Sequence, residues 1–452
     1  MSNSVYFRGE TKHDVRPLRG GTQSSSRRTK LSGEEHTSSY YAATRTDQTT
    51  YPPLRGEEET EVCIVGGGFT GVACALTLAE RGHRVTLLEQ HRISWGASGR
   101  NGGQLIHGLG GTEQLGRSLS EDKIWALHYR GNDIIKGRIE KYQINCDLKP
   151  GFIDVAFKQS QMDGLVEDYE EHREWDLAEH LRLVGQDELK TLLGTDAYIG
   201  GMINDLDGHL HPLNLCAGEA RAATGLGASI HEQTEVIDIV HGSKLRVVTQ
   251  QGEVIADKVL LAGNAYHHLE PKKLSGLVFP AGSFIIATEP LSKDLTDRIN
   301  PQDLAVCDLN NVLDYYRLSA DKRMLFGGRC NYSGRVPKSI EDSMVPRMLQ
   351  IYPELEGKKI DYAWGGNIGI VVNRVPCMGR ISENIYYSMG YSGHGVAPTH
   401  IAAEVITDAM EGDTEVLQAY EKVSHFRIPF GQWFGNQVVA LGMLYYRMLD
   451  KL

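Results

Sequence analysis

Three features predict a mixed α/β (α+β) chain: a strand, glycine turn, helix and strand in succession near residue 60, a second strand–turn–helix near residue 390, and a β-rich stretch between them. The α/β character at both ends points to one discontinuous domain with a second, β-rich domain inserted. Residues 1–56 read as a polar, flexible extension. The first 34 carry Arg8, Lys12, Arg16, Arg19, Arg27, Arg28 and Lys30 against only Glu10, Asp14 and Glu34, with no apolar run able to build a core.

The elements follow in order. Glu61–Val65 is a short β-like run, Val72–Arg81 has helical spacing ended by Gly82, and Arg84–Glu89 is a second strand, which together make a βαβ unit. Mixed helical sequence continues to Tyr142. Gly151–Phe157 alternates like a half-buried strand, Gly164–Leu183 is charged and helical, and Pro212–Ala223 is a helix opened by its proline. Ala228–Val236, Ile237–Val248 and Val254–Leu261 read as successive strands. Between Phe284 and Tyr362 strands dominate, among them Val312–Leu318 and Arg323–Phe326, with one helix at Ile340–Ile351. Ile385–Met389 is a strand and Pro398–Met410 a helix closed by Gly412, leaving 416–452 as a C-terminal helical segment.

Composition excludes several classes. With 47 Lys+Arg against 58 Asp+Glu the net charge is −11, the wrong sign for a nucleic-acid binder. Seven scattered cysteines without a C-x-x-C offer neither a disulfide framework nor a zinc site, so no metal is expected and a cytoplasmic location is. Two uncharged stretches fail as membrane spans: four glycines break Val62–Ala79, and Ile428–Tyr446 contains Pro429, Gln432, Asn436 and Gln437. The second is expected to be a helix packed on protein, and no integral membrane segment is expected. Glycine is in excess, with 50 residues, about 11% against an ordinary ~7%. Such an excess concentrates where backbone turns tightly or approaches a ligand.

Much of that excess sits in three clusters. Gly66-x-Gly68-x-x-Gly71 lies between a strand and a helix, with Glu89 at the end of the next strand. Gly66 permits the turn, Gly68 lets backbone approach a pyrophosphate, and Gly71 lets helix pack on strand, while Glu89 suits a ribose 2′-OH and disfavours a 2′-phosphate. FAD or NAD fits this unit. Gly96-Ala-Ser-Gly-Arg-Asn-Gly-Gly-Gln104 and Gly390-Tyr-Ser-Gly-His-Gly395 favour the longer FAD, the latter offering a helix N-terminus to the flavin's N1–C2=O edge.

TEVCIVGGGFTGVACALTLAERG, GASGRNGGQL, GHLHPLNL, LLAGNAY, DYYRL and GYSGHGV together resemble the FAD-dependent amine and amino-acid oxidases of the D-amino-acid-oxidase-like superfamily. Within it the chain is most similar to the γ-glutamylputrescine oxidases of bacterial polyamine breakdown, from about Glu35 onward. The resemblance implies a Rossmann-like FAD domain built from 57–145, 205–265 and 365–415, and a substrate domain from 146–204 and 266–364. It implies cofactor contacts at Gly66, Gly68, Phe69, Thr70, Gly71, Glu89, Gln90, Ser98, Gly99, Arg100, Asn101, Gly103, Gln104, Val236, Gly263, Gly393, His394 and Gly395. The implied reaction oxidises a primary amine, γ-glutamylputrescine or a related γ-glutamyl-polyamine, to an aldehyde, releasing ammonia and hydrogen peroxide.

Departures narrow this. The Arg-Pro pair with which α-amino-acid oxidases grip a carboxylate is missing from the stretch Trp364–Pro376, which favours an amine. Cys377 is offset from the flavin-linking cysteine of sarcosine-oxidase relatives, so the FAD is expected to be non-covalent. Their oxygen-activating lysine has no match near Met324–Arg329, which leaves oxidase and dehydrogenase open, with molecular oxygen the favoured acceptor. A glycine/sarcosine-type oxidase and a non-catalytic flavoprotein are the competing readings. Oxidation needs the amine neutral, and a desolvated aromatic site lowers an ammonium pKa while its ring faces attract the cation. Tyr266, Tyr315, Tyr316 and Trp364 are the aromatic candidates, with Tyr316, Trp364 and His394 expected nearest the chemistry. Arg317 is a candidate for a remote substrate carboxylate, whereas His209, His211 and His400 are expected to be structural. Nothing in the sequence sets an oligomeric state.

Overall fold

The computed structural model describes residues 35–310, 312–331 and 337–427. The polar leader and the helix expected at Ile428–Tyr446 lie outside them. Two mixed sheets with helices make up the fold. In the first, Ile385–Met389, Gly252–Leu261, Gly56–Val65, Val85–Leu88 and Ser229–His231 run parallel in that spatial order, with Cys377–Ser382 antiparallel at one edge. Val236–Val240 and Leu245–Thr249 form an antiparallel hairpin appended to Gly252–Leu261. The fingerprint helix Phe69–Glu80 is buried from Phe69 to Ala79, because the helices Pro212–Gly225 and Val396–Glu411 pack on it. A helix apolar all round is stable only in such an enclosed position.

In the second sheet the order is Ile360–Ile370, Phe279–Thr288, Met324–Asn331, Asp314–Leu318, Ala305–Asp308, Lys149–Ala156, Gly200–His209 and Gln104–Leu105, with Leu181–Gly185 pairing off Gly200–His209. The pairing of Lys149–Ala156 with Ala305–Asp308 is parallel and the rest antiparallel. The expected boundary between 364 and 365 falls inside the strand Ile360–Ile370.

Some expectations needed correction. Residues 35–55, expected to be flexible, are folded against the body of the protein, with Ser39, Tyr40, Tyr41 and Leu54 buried. Tyr40 and Tyr41 of the short helix Tyr40–Ala43 are 3% and 0% exposed, and Trp95 Nε1 donates to Glu35 O at 2.9 Å. Two tyrosines in a polar stretch give no periodic signal, but tertiary packing buries both. The helix expected over Gly164–Leu183 spans Gln159–Glu174 and gives way to the strand Leu181–Gly185, since edge pairing outweighs weak local helix preference. Gly151–Phe157 is not half-buried. The strand runs Lys149–Ala156 between two partners and is covered on both faces. The run Ile237–Val248 is broken by a His-Gly-Ser turn into two strands, and Ala228–Val236 shrinks to Ser229–His231. Ile340–Ile351 and Ile385–Met389 match the sequence expectation residue for residue. The last long helix starts at Val396, its first turn accommodating Pro398, and stops at Gly412, whose φ of +113° is the left-handed cap.

Candidate cofactor and substrate site

The fingerprint glycines hold their places by close approach. Gly66 has φ +116°, and a Cβ on it would lie 2.7 Å from Ala262 O. A Cβ on Gly71 would sit 1.9 Å from Gly66 O, so helix and strand could not meet with any other residue there. Gly68 caps the helix, and the Phe69 N–H donates to Ser98 Oγ at 2.8 Å. Thr70 Oγ1 donates to the Tyr391 hydroxyl at 3.0 Å, tying the helix to the C-terminal glycine cluster. Glu89 accepts from the Gly67 N–H at 2.6 Å and the His91 N–H at 2.8 Å, with Gln90 half-buried beside it. Burial pushes the Glu89 carboxyl up to about 7, against the pull of the backbone donors. Val236 is buried and its carbonyl accepts from His268 Nε2 at 3.0 Å.

The second cluster is shaped by its own side chains. Asn101 Nδ2 donates to Ser98 O at 2.8 Å, and Asn101 Oδ1 accepts from Gly103 N–H at 2.8 Å. Arg100 donates through Nε to Trp95 O at 2.8 Å and lies 4.4 Å over the Trp95 ring. Gln104 Nε2 donates to Val306 O at 2.8 Å. Gly99 and Gly103 admit no Cβ, which would fall 2.3 Å from Ser94 O and 2.2 Å from Leu210 O. Arg100, Asn101 and Gln104 therefore set the loop's path through protein carbonyls.

The third cluster meets the others through a residue that sequence reasoning passed over. Asn264 follows Gly263, has φ +45°, and accepts from the Gly390 N–H at 2.9 Å. A Cβ on Gly369 would lie 2.1 Å from its Oδ1, so Asn264 binds the ends of three strands together. Gly393 has φ +96° and Gly395 caps the helix Val396–Glu411. His394 Nε2 lies 3.0 Å from Ile106 O, to which it donates, and burial lowers its pKa, so the ring stays neutral and spans two glycine loops.

Register sorts the aromatic candidates. Trp364, Ile285, Gly327, Tyr315, Cys307, Asp154 and Met202 are successive cross-strand partners in one row, which puts them on one face. A Cβ on Gly327 or Gly102 would run into the Tyr315 ring, at 2.2 and 2.5 Å, so those glycines make room for it. Tyr316 points to the opposite face. It is 1% exposed, stacks on Phe326, and its hydroxyl lies 3.2 Å from those of Tyr198 and Tyr352. Its expected place beside the substrate is corrected: strand alternation separates it from Tyr315. Trp364 is on the right face but 2% exposed, its Nε1 donating to Arg100 O at 3.0 Å, which makes it a support for the loop. Tyr266 lies edge-on to Trp95 at 5.6 Å.

Arg317 is corrected as well. It is 4% exposed, and its donors go to Gly102 O at 2.7 Å, Leu210 O at 2.8 Å, Leu318 O at 3.1 Å and the Tyr41 hydroxyl at 3.1 Å. It is thus committed to holding loops and presents no free fork to a substrate. Burial, helped by its charge, holds His209 and His211 down at about 3. His209 Nε2 reaches Asp303 O at 2.7 Å, His211 Nδ1 caps the helix through Asn214 N–H at 3.1 Å, and His400 Nε2 meets Glu219 at 3.0 Å.

Acidic groups near the aromatic row carry no motif. Burial, and then Asp207, pushes the Asp154 carboxyl up to about 7, and burial does the same to Asp308. Only the strand pairing of residues far apart in sequence assembles them. Together the helix N-terminus at Gly68–Gly71, the half-buried acid at Glu89 and the three glycine loops suit a pyrophosphate, a ribose and an extended ring system. These residues fit FAD.

The fold and this site define a flavin-dependent oxidoreductase, and comparison agrees. Residues 61–409 match the family described as FAD dependent oxidoreductase. The chain belongs to this family and uses FAD as its cofactor. It is 40% identical over 424 residues to the γ-glutamylputrescine oxidoreductase of Escherichia coli K12, covering 92% of this chain and 99% of that protein. A probable oxidoreductase, OrdL, of Haemophilus influenzae is 41% identical over 92% of this chain and 98% of its own length. Among solved structures, glycine oxidase from Bacillus cereus superposes with a TM-score of 0.66 at 22% identity, covering 80% of this chain and 98% of that one. L-proline dehydrogenase from P. horikoshii gives 0.67 at 22%, covering 81% and 98%. At that identity the likeness is one of fold. No helix among the described residues is long and apolar enough to cross a membrane.

Proposed function

We propose that this protein oxidises the terminal primary amine of γ-glutamylputrescine, or of a closely related γ-glutamyl-polyamine, to the aldehyde. The balance is amine plus O₂ and water giving aldehyde, ammonia and hydrogen peroxide. The observation that carries the reading is the face shared by Tyr315 and Asp154, read beside the near-full-length likeness to a γ-glutamylputrescine oxidoreductase. That face is acidic and aromatic, and the candidate guanidiniums of Arg100 and Arg317 are turned into protein carbonyls. It suits an incoming ammonium better than a carboxylate beside the reacting carbon.

FAD supplies the two-electron acceptor for the carbon beside nitrogen. The helix N-terminus at Gly68–Gly71 and Ser98 hold the diphosphate, Glu89 the ribose, and the backbones of 99–104 and 393–395 the ring. Gln90, Val236 and Gly263 flank the adenosine end. Tyr315 and the Asp154 carboxyl attract the cation and desolvate it, and His394 keeps the two ring-side loops in register. The sheet containing Gly56–Val65 serves as the FAD domain, and the sheet containing Tyr315 as the substrate domain. FAD is held non-covalently, a reading supported by Cys377, which is fully buried with its thiol pushed up to about 12 by burial. A reducing cytoplasmic setting is supported by six free, buried cysteines among the described residues.

Anaerobic addition of γ-glutamylputrescine to the yellow protein should bleach the flavin, and readmitted air should restore it with one peroxide per amine. Bleaching by glycine or sarcosine instead would favour the glycine-oxidase reading, which a 25% identity to a glycine oxidase of Geobacillus kaustophilus keeps in view. A flavin left oxidised by the whole panel would overturn both.

A further inference from the structure

Three histidines from three segments converge outside the residues assigned so far. His107 lies on the loop after the strand Gln104–Leu105, His128 ends the helix Glu121–His128, and His172 is in the last turn of the helix Gln159–Glu174. Each offers a ring nitrogen within 4.8 Å of those of the other two. Their ring centroids are 4.7 Å apart for His107 and His128, 5.4 Å for His128 and His172, and 5.5 Å for His107 and His172.

The hydrogen bonds behind the rings prepare them as ligands. His172 is 1% exposed; its Nδ1 donates to Asp168 O at 2.8 Å, with Asp168 Oδ1 at 3.3 Å, so Nε2 carries the lone pair. That buried Nε2 has no partner among the described residues, and neither nitrogen of His128 has one. His107 is backed on its Nδ1 by Asp207 Oδ2 at 2.6 Å, which leaves its Nε2 as the other acceptor. Asp207 is fully buried and fixed by Asn132 Nδ2 at 2.8 Å. A carboxylate or carbonyl behind an imidazole is the usual support of a metal-bound histidine, since it sets the tautomer and aims the free nitrogen. Trp125, Trp175 and Tyr129 wall the cluster, with Trp125 stacked on Trp175 at 5.4 Å and Tyr129 on His107 at 4.5 Å.

We propose that His107, His128 and His172 form a binding site for a divalent transition metal, zinc foremost, with the fourth position open to water or a small ligand. Three imidazoles, each ligating through a nitrogen that gives up any proton on binding, suit zinc, copper, nickel or cobalt and not calcium or magnesium, which seek oxygen. Zinc–nitrogen bonds of about 2.0–2.1 Å need ligand atoms roughly 3.3 Å apart, which a small rotation, chiefly of the His128 ring that no hydrogen bond fixes among the described residues, can supply. The ion would clamp the two helix ends to the loop whose Ile106 carbonyl accepts from His394.

The test uses the untagged, FAD-loaded full-length protein, stripped with chelator and dialysed against zinc chloride. We expect about one zinc per chain by elemental analysis, a raised unfolding temperature, and with cobalt(II) the visible ligand-field absorption of a tetrahedral site. His128→Ala and His172→Ala should abolish stoichiometric uptake. Asp207→Asn should weaken affinity by about 10–100-fold. Flavin content reports whether each variant has folded. Should a variant fail to fold, the wild-type stoichiometry and cobalt spectrum still decide. Wild-type uptake no greater than that of the His107→Ala/His128→Ala/His172→Ala triple variant, or cobalt without a ligand-field band, would make the cluster aromatic packing only and overturn the site.

Discussion

Glu89 is a carboxylate that the fold makes costly to ionise. In the unfolded chain it titrates near 4.5, and in the folded, FAD-free protein at about 7. Between those values the folded protein keeps a proton that the unfolded chain has released. Its contribution to stability therefore falls as pH rises across that window. Glu89→Gln should flatten the decline in apoprotein melting temperature between pH 5 and 7, and a slope unchanged from wild type would refute the assignment. Gly71→Ala puts a methyl 1.9 Å from Gly66 O, so backbone has to move. The expected cost is about 1–3 kcal/mol with loss of FAD loading, read from a denaturation midpoint and the visible spectrum. The adjacent tyrosines should separate cleanly. Tyr316→Phe removes a hydroxyl buried between Tyr198 and Tyr352, costing about 1 kcal/mol with KM unchanged. Tyr315→Leu removes the ring face offered to the cation and should raise KM. The pair Tyr315-Tyr316 was legible as aromatic in the sequence, but only strand register says that the two rings lie on opposite faces of the sheet.

At the level of elements, Arg317 joins the strand Asp314–Leu318 to the helix Tyr40–Ala43 and to the loops at Gly102 and Leu210. Arg317→Met would leave buried carbonyls unsatisfied at about 1–3 kcal/mol each. It should also raise the pKa of His209 and His211, because their burial would no longer be joined by a facing cation. Both effects are measurable, by chemical denaturation and by NMR titration. If Arg317 bound substrate instead, the variant would lose affinity with stability intact. A second linchpin is Asn264, where the strand Gly252–Leu261 hands over to the C-terminal glycine loop. The fingerprint, the acid and the glycine loops were readable because their spacing is local. Asn264, Asp154 and Asp207 were not, since each acts on residues a hundred or more positions away.

For the whole molecule, residues 35–55 belong to the folded body. Tyr41 is fully buried against His211 and Trp364, at 4.9 and 5.4 Å between rings, and Glu35 pairs with Arg92 at 2.6 Å. A chain beginning at Gly56 should expose this face and fail to accumulate as a flavin-loaded protein. Normal FAD content in that truncation would contradict the packing.

By itself the sequence determined the α/β class and the FAD fingerprint, because glycine spacing and apolar periodicity are properties of neighbouring residues, while its longer motifs carried the resemblance to the family. Tertiary structure alone decided that Tyr315 and Tyr316 face opposite sides of their sheet, that Arg317 holds loops, that Tyr40, Tyr41 and Leu54 join the core, and that three histidines converge. These depend on strand register and helix docking, which bring distant residues together and turn the face of every strand on a single step of alternation.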